Sequence, residues 1–288
     1  MKHALFLLCI MLPLFALSNE IDNLKTNADV VRFLVKKFDK DYKGLSLFCG
    51  DKDQDKLQFG NNKFYKLDID GNGLTDLIVD GYLVFAVAAE KDGSYSASFL
   101  DGNQSVHGRS YLISVDSTAP VSIIVAGFIK SEDHQHHTVV MGYDTLIYKF
   151  GGFVERRSNI LTGFHFDKLT FSTGACLGKC AVFEMEINDN KTAEYNAIKD
   201  NYIEGKFNTI IPQVDFDNLA GLLEFINPMD LDSSYKVNYT DFPTAFTTIY
   251  FNGKSIKIRD YGEEGTYGLQ TLYKILFSWR KKLEWEQE

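Results

Sequence analysis

Clusters of glycine, asparagine and aspartate interrupt the chain at short, regular intervals between residues 45 and 157. They fall at residues 50–51, 60–62, 71–73, 91–93, 101–103 and 151–152. Short apolar runs separated by turn residues at this spacing are typical of an antiparallel β meander. The strongest strands are predicted at residues 77–88, 121–129 and 139–148. A composition with 15 tyrosines, 23 phenylalanines and only 5 prolines also favours pleated sheet over disorder.

Near residue 163 the pattern changes from strands alone to strands interleaved with helices. Strands are predicted at residues 166–172, 181–187 and 192–196, and a helix at residues 214–226. The dipeptide Asn252-Gly253 is a signal for a type I′ turn, so it predicts a hairpin of residues 245–251 and 255–260. Residues 266–283 are predicted to form an amphipathic helix, because their apolar side chains follow helical spacing.

A short helix is also predicted at residues 27–38, before the meander, with Asn27 as its N-cap. The sequence therefore predicts an α+β protein. Its N-terminal domain, residues 19–160, is antiparallel and β-rich with one short helix. Its C-terminal domain, residues 161–288, is α+β with two helices on an antiparallel sheet. The segment Glu155-Arg156-Arg157 is interpreted as a solvated link between the two parts.

Residues 1–18 have the features of a cleavable signal peptide. Lys2 and His3 form a basic start, residues 4–17 are apolar, and Ala16-Leu17-Ser18 provides a small-x-small cleavage site. The apolar run, roughly fourteen residues, is shorter than the ~20 that cross a bilayer as a helix. We expect a secreted or periplasmic protein with no membrane insertion after signal cleavage; an uncleaved anchor is the alternative.

The charge balance narrows the range of partners. The formal net charge is −9, whereas binding to a phosphate backbone depends on clustered lysine and arginine. Nucleic acid is therefore not an expected partner.

The most specific motif lies at residues 68–77, where oxygen-bearing side chains recur around a Gly-Asn-Gly turn. Oxygen ligands at relative positions 1, 3, 5, 7 and 9, with glycine at 6, can surround one hard cation. The predicted ligands are the side chains of Asp68, Asp70, Asn72 and Asp76 and the carbonyl of Leu74.

This loop differs from a complete EF-hand, because Val79 occupies the position of the final bidentate glutamate and strand-like sequence flanks the loop. It resembles instead the calcium loops of FG-GAP and similar β-propeller repeats. The resemblance implies a structural Ca²⁺ site. Because the loop has three carboxylates and lacks the glutamate at position 12, its affinity should be in the weak extracellular range of roughly 10⁻⁴ to 10⁻³ M. A hydrogen-bonded Asx-type turn without metal is the alternative.

Cys176 and Cys180 lie between two predicted strands. A three-residue link that contains Gly178 can act as a hairpin loop, which would place the two cysteines at a separation that a disulfide accepts. The alternatives are free thiols and metal ligands. Cys49 is interpreted as a buried free thiol.

Gly174, Cys176, Gly178 and Cys180 form a Gly-x-Cys-x-Gly-x-Cys pattern, and Asp260-Tyr261-Gly262 follows later in the chain. On these residues the segment 164–285 resembles a family of exported bacterial proteins known only as a domain of unknown function. Ala181 and Phe183 stand where the family pattern has proline and tyrosine. The resemblance implies a fold unit and a bacterial source, and it implies no activity.

No P-loop, nucleophile elbow, zinc-protease helix or dinucleotide fingerprint is present, so the sequence nominates no catalytic residue. The first hypothesis is a non-enzymatic binding or structural module of the bacterial envelope, stabilised by calcium and a disulfide, with a protein or glycan partner. The alternative is a hydrolase of envelope or carbohydrate substrates, with paired carboxylates in a cleft between the two parts. A thiol-redox protein, which requires an exposed Cys176, is a third possibility.

His134, His136 and His137 form a histidine cluster, which is interpreted as part of an exposed polar turn.

Overall fold

The computed structural model describes residues 18–38, 64–80, 84–100, 109–118, 121–130, 138–157, 163–238 and 240–288. Within these ranges the protein is an α+β structure with three β-sheets. No helix in this described part is long and apolar enough to cross a membrane. The predicted signal peptide up to Leu17, Cys49 and the histidine cluster lie outside the described residues.

The first sheet is covered on one face by a short helix. This helix, α1, spans Asn27–Phe38. The first sheet contains four antiparallel strands in chain order: β1 (Phe64–Leu67), β2 (Asp76–Asp80), β3 (Val84–Ala89) and β4 (Tyr95–Phe99). The apolar side of α1 packs on this sheet, where Phe33 and Leu34 join one core with Leu77 and Val87.

Thr26, and not the predicted Asn27, caps α1. The Asp29 amide donates to the Thr26 hydroxyl at 3.2 Å, and the Thr26 amide donates to the Asp29 carboxylate at 2.8 Å. The N-cap prediction was wrong by one residue, because threonine followed three positions later by an acid forms a reciprocal cap.

The second sheet continues the meander with β5 (Arg109–Asp116), β6 (Ser122–Lys130), β7 (Thr138–Lys149) and β8 (Gly152–Glu155). It packs on the face of the first sheet that α1 leaves free. Leu77 and Val79 face α1, whereas Ile78 between them joins Ile123 and Leu146 of the second sheet. The predicted meander is therefore two stacked sheets, and the first of them is buried on both faces.

Residues 77–88, predicted as one strand, form parts of two. β2 ends at Asp80 and β3 begins at Val84, and these two residues are opposite each other in an antiparallel pair. The prediction failed because burial on both faces removes the alternation of polar and apolar residues that marks a half-exposed strand. The prediction also passed over the dipeptide Asp80-Gly81, which is typical of a hairpin turn.

The C-terminal sheet is the largest of the three and has eight strands. The elements of this part of the chain are β9 (Phe166–Thr173), β10 (Val182–Asn188), β11 (Thr192–Lys199), β12 (Gly205–Ile210), α2 (Gln213–Ile226), β13 (Ser234–Lys236), β14 (Thr244–Phe251), β15 (Lys254–Tyr261), α3 (Tyr267–Lys282) and β16 (Glu286–Gln287). Across the sheet the strand order is β13-β15-β14-β9-β10-β11-β12-β16, and all neighbours are antiparallel except β13 and β15.

Both predicted C-terminal helices and the predicted hairpin are confirmed. Asn252 and Gly253 have φ of +50° and +69°, as a type I′ turn requires at both central residues. α2 and α3 pack on the same face of the C-terminal sheet, and Leu222, Leu272 and Leu276 enter its core.

Glu155 is not part of a solvated link, as the sequence analysis suggested. It is the last residue of β8, and its carboxylate accepts hydrogen bonds from the first turn of α3. α3 therefore contacts both the C-terminal sheet and the second sheet.

Candidate functional site

The loop between β1 and β2 brings three of the five predicted calcium ligands together. One carboxylate oxygen from each of Asp68, Asp70 and Asp76 lies within 4.8 Å of the others. Gly71 and Gly73 have φ of +76° and +88°, which glycine adopts without steric cost, and they let the chain fold back on itself. The loop thus collects acidic groups at one end of the first sheet.

Asp76 is fully buried and ties this loop to the sheet. Its Oδ2 accepts a hydrogen bond from the Ile69 amide at 2.6 Å, and its Oδ1 accepts one from the Ala89 amide at 2.8 Å. Burial raises the pKa of this carboxyl to about 6; the two amides oppose the rise, and the negative charges of Asp70 and Asp68 add to it. A buried carboxylate beside other acids is costly to ionise without a positive partner.

The side chains of Asp68, Asp70 and Asn72 form Asx-type turns within the loop. The amides of Gly71 and Gly73 donate to the Asp68 carboxylate at 2.8 and 2.9 Å, and the Asn72 amide donates to Asp70 at 3.0 Å. The side-chain oxygen of Asn72 accepts a hydrogen bond from the Leu74 amide at 2.7 Å. These are the bonds expected of the metal-free alternative. Oδ1 of Asp68 accepts two of them, whereas Oδ2 of Asp68 and both oxygens of Asp70 accept one each and keep a lone pair that could bind a cation.

The loop holds negative charge that is not paired with a basic side chain among the described residues. In the described part of the chain, no hydrogen bond or ion pair joins Asp68, Asp70 or Asp76 to a lysine or arginine. Burial raises the pKa of Asp70, and the charges of Asp68 and Glu90 add to the shift. The chemistry of the donor set, with oxygen atoms only and several acids, fits a hard divalent cation.

The cysteine pair has the geometry that its spacing predicted. Cys176 and Cys180 are bonded in the loop between β9 and β10, with their Cα atoms 5.8 Å apart. This loop lies against the start of β14, because the amides of Gly174 and Leu177 donate to the carbonyls of Thr244 and Asp241 at 2.8 and 3.1 Å. Strands flank the pair on both sides, whereas a redox-active pair usually opens a helix.

The face of the C-terminal sheet opposite α2 and α3, here called the open face, carries a polar cavity that the sequence analysis missed. The cavity has a volume of about 420 Å³. Its lining includes the side chains of Thr170, Ser172, Glu184, Asn196, Lys206 and Phe246. The signal was present in the sequence as polar residues two apart within β9, β10 and β11, since side chains alternate between the faces of a strand.

Hydrogen bonds and an ion pair order the open face. Asn196 donates through its side-chain amide to Glu184 at 3.1 Å, and Lys168 pairs with Glu186 at 3.2 Å. Glu186 and Glu194 are cross-strand partners on β10 and β11. Phe246 is an aromatic residue on the same face and is 46% exposed. The open face therefore combines carboxylates, hydroxyls, amides and an accessible ring.

A second cavity, of about 300 Å³, lies between the first two sheets and α3. This is the place where the sequence analysis expected paired carboxylates of a hydrolase. Its described lining contains a single carboxylate, that of Glu264, together with Lys274, Gln270 and Tyr267.

Comparison with protein families identifies one segment of the chain. Residues 167–280 match a domain of unknown function, DUF6438. The match lies within the segment 164–285 that the sequence analysis assigned to such a family, and it covers most of the C-terminal sheet and both of its helices. No curated protein sequence matches this chain. The family description names no activity, so the function has to be argued from the sites themselves.

Proposed function

We propose that the protein is an exported, non-enzymatic binding module of the bacterial envelope. It binds a protein or glycan through the open face of the C-terminal sheet, and one Ca²⁺ fastens the loop between β1 and β2. The observation that carries the proposal is the open face itself, a broad surface that the described helices leave uncovered. The signal-like residues 1–18 and the Cys176–Cys180 disulfide support export to an oxidising compartment.

The chemistry of the open face suits a polar ligand. Thr170, Ser172 and Asn196 offer hydrogen bonds from neighbouring strands, and the exposed ring of Phe246 offers a stacking surface beside them. Binding sites commonly combine a few fixed polar groups with aromatic contact area. The extended strands hold the backbone of these groups at fixed spacing, so little backbone order has to be gained on binding.

Calcium has a structural role in this proposal. A cation between Asp68, Asp70 and Asp76 would offset the repulsion that their proximity creates, and it would join the end of β1 to the start of β2. Because both strands lie beneath α1, the ion would stabilise the N-terminal layer without reaching the open face.

The binding claim is tested by retention of the protein on bacterial envelope extract and on purified cell-wall glycan. Phe246→Ala should lower retention several-fold, whereas Val214→Ala, which trims a residue that is 75% exposed outside the open face, should leave it unchanged. Equal retention of wild type and Phe246→Ala on every probe would show that the open face is not the binding surface.

One observation favours the alternative of a carboxylate-dependent hydrolase. Glu186 and Glu194 are cross-strand neighbours, and such pairs have Cβ atoms about 4.5–5.5 Å apart. Retaining glycosidases place their two carboxyl groups at about 5–5.5 Å. Against this, the ion pair with Lys168 engages Glu186. Hydrolysis of chromogenic glycosides by wild type, lost in Glu186→Gln, would favour the enzyme over the binding module.

A further inference from the structure

Among the described residues, four of the five buried side-chain oxygen atoms without a hydrogen-bond partner belong to β14, β15, α3 and the turn between β15 and α3. They are Oδ1 of Asp260, Oε1 of Glu263 and the hydroxyls of Thr247 and Tyr273. In the described part of the chain, no partner meets any of them with good hydrogen-bond geometry, but the Tyr273 hydroxyl lies close enough to Thr247 and Asp260 to interact with both. Buried polar groups in folded proteins are nearly always paired, so a group of orphaned oxygens in one place calls for an explanation.

The strand register brings these residues together. Thr247 on β14 is opposite Ile258 on β15, and Asp260 is two residues further along β15, so Thr247 and Asp260 face α3 from adjacent strands. Tyr273 enters from α3, with its ring 5.5 Å from that of Phe171, which is the partner of Thr247 on β9. The exposed fractions of Thr247, Asp260 and Tyr273 are 1%, 0% and 3%.

Asp260 also closes the turn that leads from β15 into α3. Its Oδ2 accepts a hydrogen bond from the Gly265 amide at 2.8 Å. The turn is tightly packed, since a Cβ atom at Gly265 would lie 2.6 Å from this same oxygen, and one at Gly262 would lie 2.5 Å from Val237. Glu263 has a φ of +60°, a left-handed conformation that L-residues adopt at some cost. The turn therefore holds Glu263 in a strained conformation in which its Oε1 atom is buried, although the residue as a whole is partly exposed.

Few of the groups around the carboxyls of Asp260 and Glu263 are positively charged. These groups are Tyr273 and Arg280 from α3, Tyr235 from β13 and Glu264 in the turn; the negative charge of Glu155 on β8 also acts on Tyr235. Arg280 is the one cation among them, and its guanidinium also donates to Asn201 at 3.0 Å and lies over the ring of Phe183.

Burial raises the pKa of Glu263 to about 7; the charge of Asp260 adds to the rise and Arg280 opposes it. Burial also raises the pKa of Asp260, while the Gly265 amide, the Tyr273 hydroxyl and the Glu264 amide oppose that shift. Two uncompensated charges in this core would be strongly unfavourable.

We propose that Asp260 and Glu263 form a proton-controlled latch on the turn of residues 260–265. While the pair holds a proton, the turn stays packed against Tyr273 and Thr247. When both carboxylates ionise, Glu263 leaves its inward conformation and turns to water, which opens the turn. Glu263 is the mobile member because it lies in a turn, whereas Asp260 is held within β15.

The direction of the pH dependence follows from the protonation of the two states. Glu263 has its usual pKa of 4.5 in an open turn and a pKa of about 7 in the closed turn, so the closed turn binds more protons between these values. Closure is fully favoured below pH 4.5 and is lost as the pH rises through 7.

Amide hydrogen exchange on the full chain tests the latch, with the Gly265 amide as the probe because it bonds to Asp260. After correction for the intrinsic exchange rate, its protection should fall about tenfold between about pH 6 and pH 8, as expected for release of one linked proton. The Ile211 amide, which donates to the Lys191 carbonyl far from the turn, should keep its protection.

Glu263→Gln keeps the size of the side chain and cannot ionise, so its Gly265 amide should show the same protection at both pH values. Glu264→Gln, which removes an acid from the same turn, should retain the wild-type pH dependence. An equal loss of protection in Glu263→Gln and wild type, or no loss in wild type, would overturn the proposal. The wild-type measurement decides the matter even if Glu263→Gln fails to fold.

Discussion

The carboxylate of Glu155 caps the N-terminus of α3, more than a hundred residues later in the chain. Its Oε1 accepts a hydrogen bond from the Tyr267 amide at 2.6 Å, and its Oε2 accepts one from the Gly268 amide at 3.1 Å. Both amides belong to the first turn of the helix, where backbone donors lack intrahelical partners and negative charge is favourable. Glu155 thereby joins the second sheet to the helix that covers the C-terminal sheet.

Glu155→Ala should destabilise the whole protein, because it leaves two amides at a half-buried helix end without their charged acceptor. The expected loss is about 1–2 kcal/mol of unfolding free energy, measured by urea denaturation. Glu284→Ala, which removes an exposed acid after the end of α3, should change the unfolding free energy by less than about 0.5 kcal/mol. Equal effects of the two substitutions would show that the cap contributes nothing specific.

Gly152 of β8 packs tightly against α3, since a Cβ atom there would lie 2.4 Å from Oγ1 of Thr271. Gly152→Ala should therefore cost about 1–3 kcal/mol of stability by overpacking. Gly142→Ala is the matched control, because an added Cβ meets nothing within 4 Å. Combining Gly152→Ala with Thr271→Ala should recover part of the loss, although Thr271 then no longer donates to the Phe153 carbonyl. Strict additivity of the two changes would argue against a direct clash.

Calcium at the Asp68 loop should raise the melting temperature. For a dissociation constant of roughly 10⁻⁴ to 10⁻³ M, about 10 mM CaCl₂ should raise Tm by about 3–10 °C relative to a chelated sample. Asp70→Asn removes one carboxylate whose hydrogen bonds are local to the loop, so it should abolish most of the rise. Asp92→Asn, in the turn after β3, should retain it. A Tm that is the same with Ca²⁺ and with chelator would remove the metal from the proposed function.

Reduction of the disulfide should lower stability modestly. Closing so short a loop contributes about 2 kcal/mol by the loop-entropy estimate. Wild type should therefore lose about that amount of unfolding free energy in reductant, and the double variant Cys176→Ser/Cys180→Ser should be insensitive to reductant. If the double variant responds like wild type, the stabilising disulfide lies elsewhere.

Much of the fold could be predicted because its signals are local. The turn at Asn252-Gly253 depends on two adjacent residues that tolerate positive φ, and α3 depends on the spacing of apolar side chains within one segment. The Cys176–Cys180 pair spans a single short loop, so its geometry also follows from adjacent sequence. The acidic spacing of residues 68–76 likewise predicted that three carboxylates would meet.

The amino-acid sequence by itself determined the α+β class, the helices and the hairpin, since each depends on neighbours within a few residues. Only the tertiary structure decided that the meander divides into two stacked sheets between β4 and β5, because the sheet that a strand joins depends on which apolar faces pack together. It also decided that Glu155 caps α3 and that Asp260, Glu263 and Tyr273 share one buried place. Those relationships depend on which distant residues meet when apolar surfaces are buried, and no local pattern encodes them.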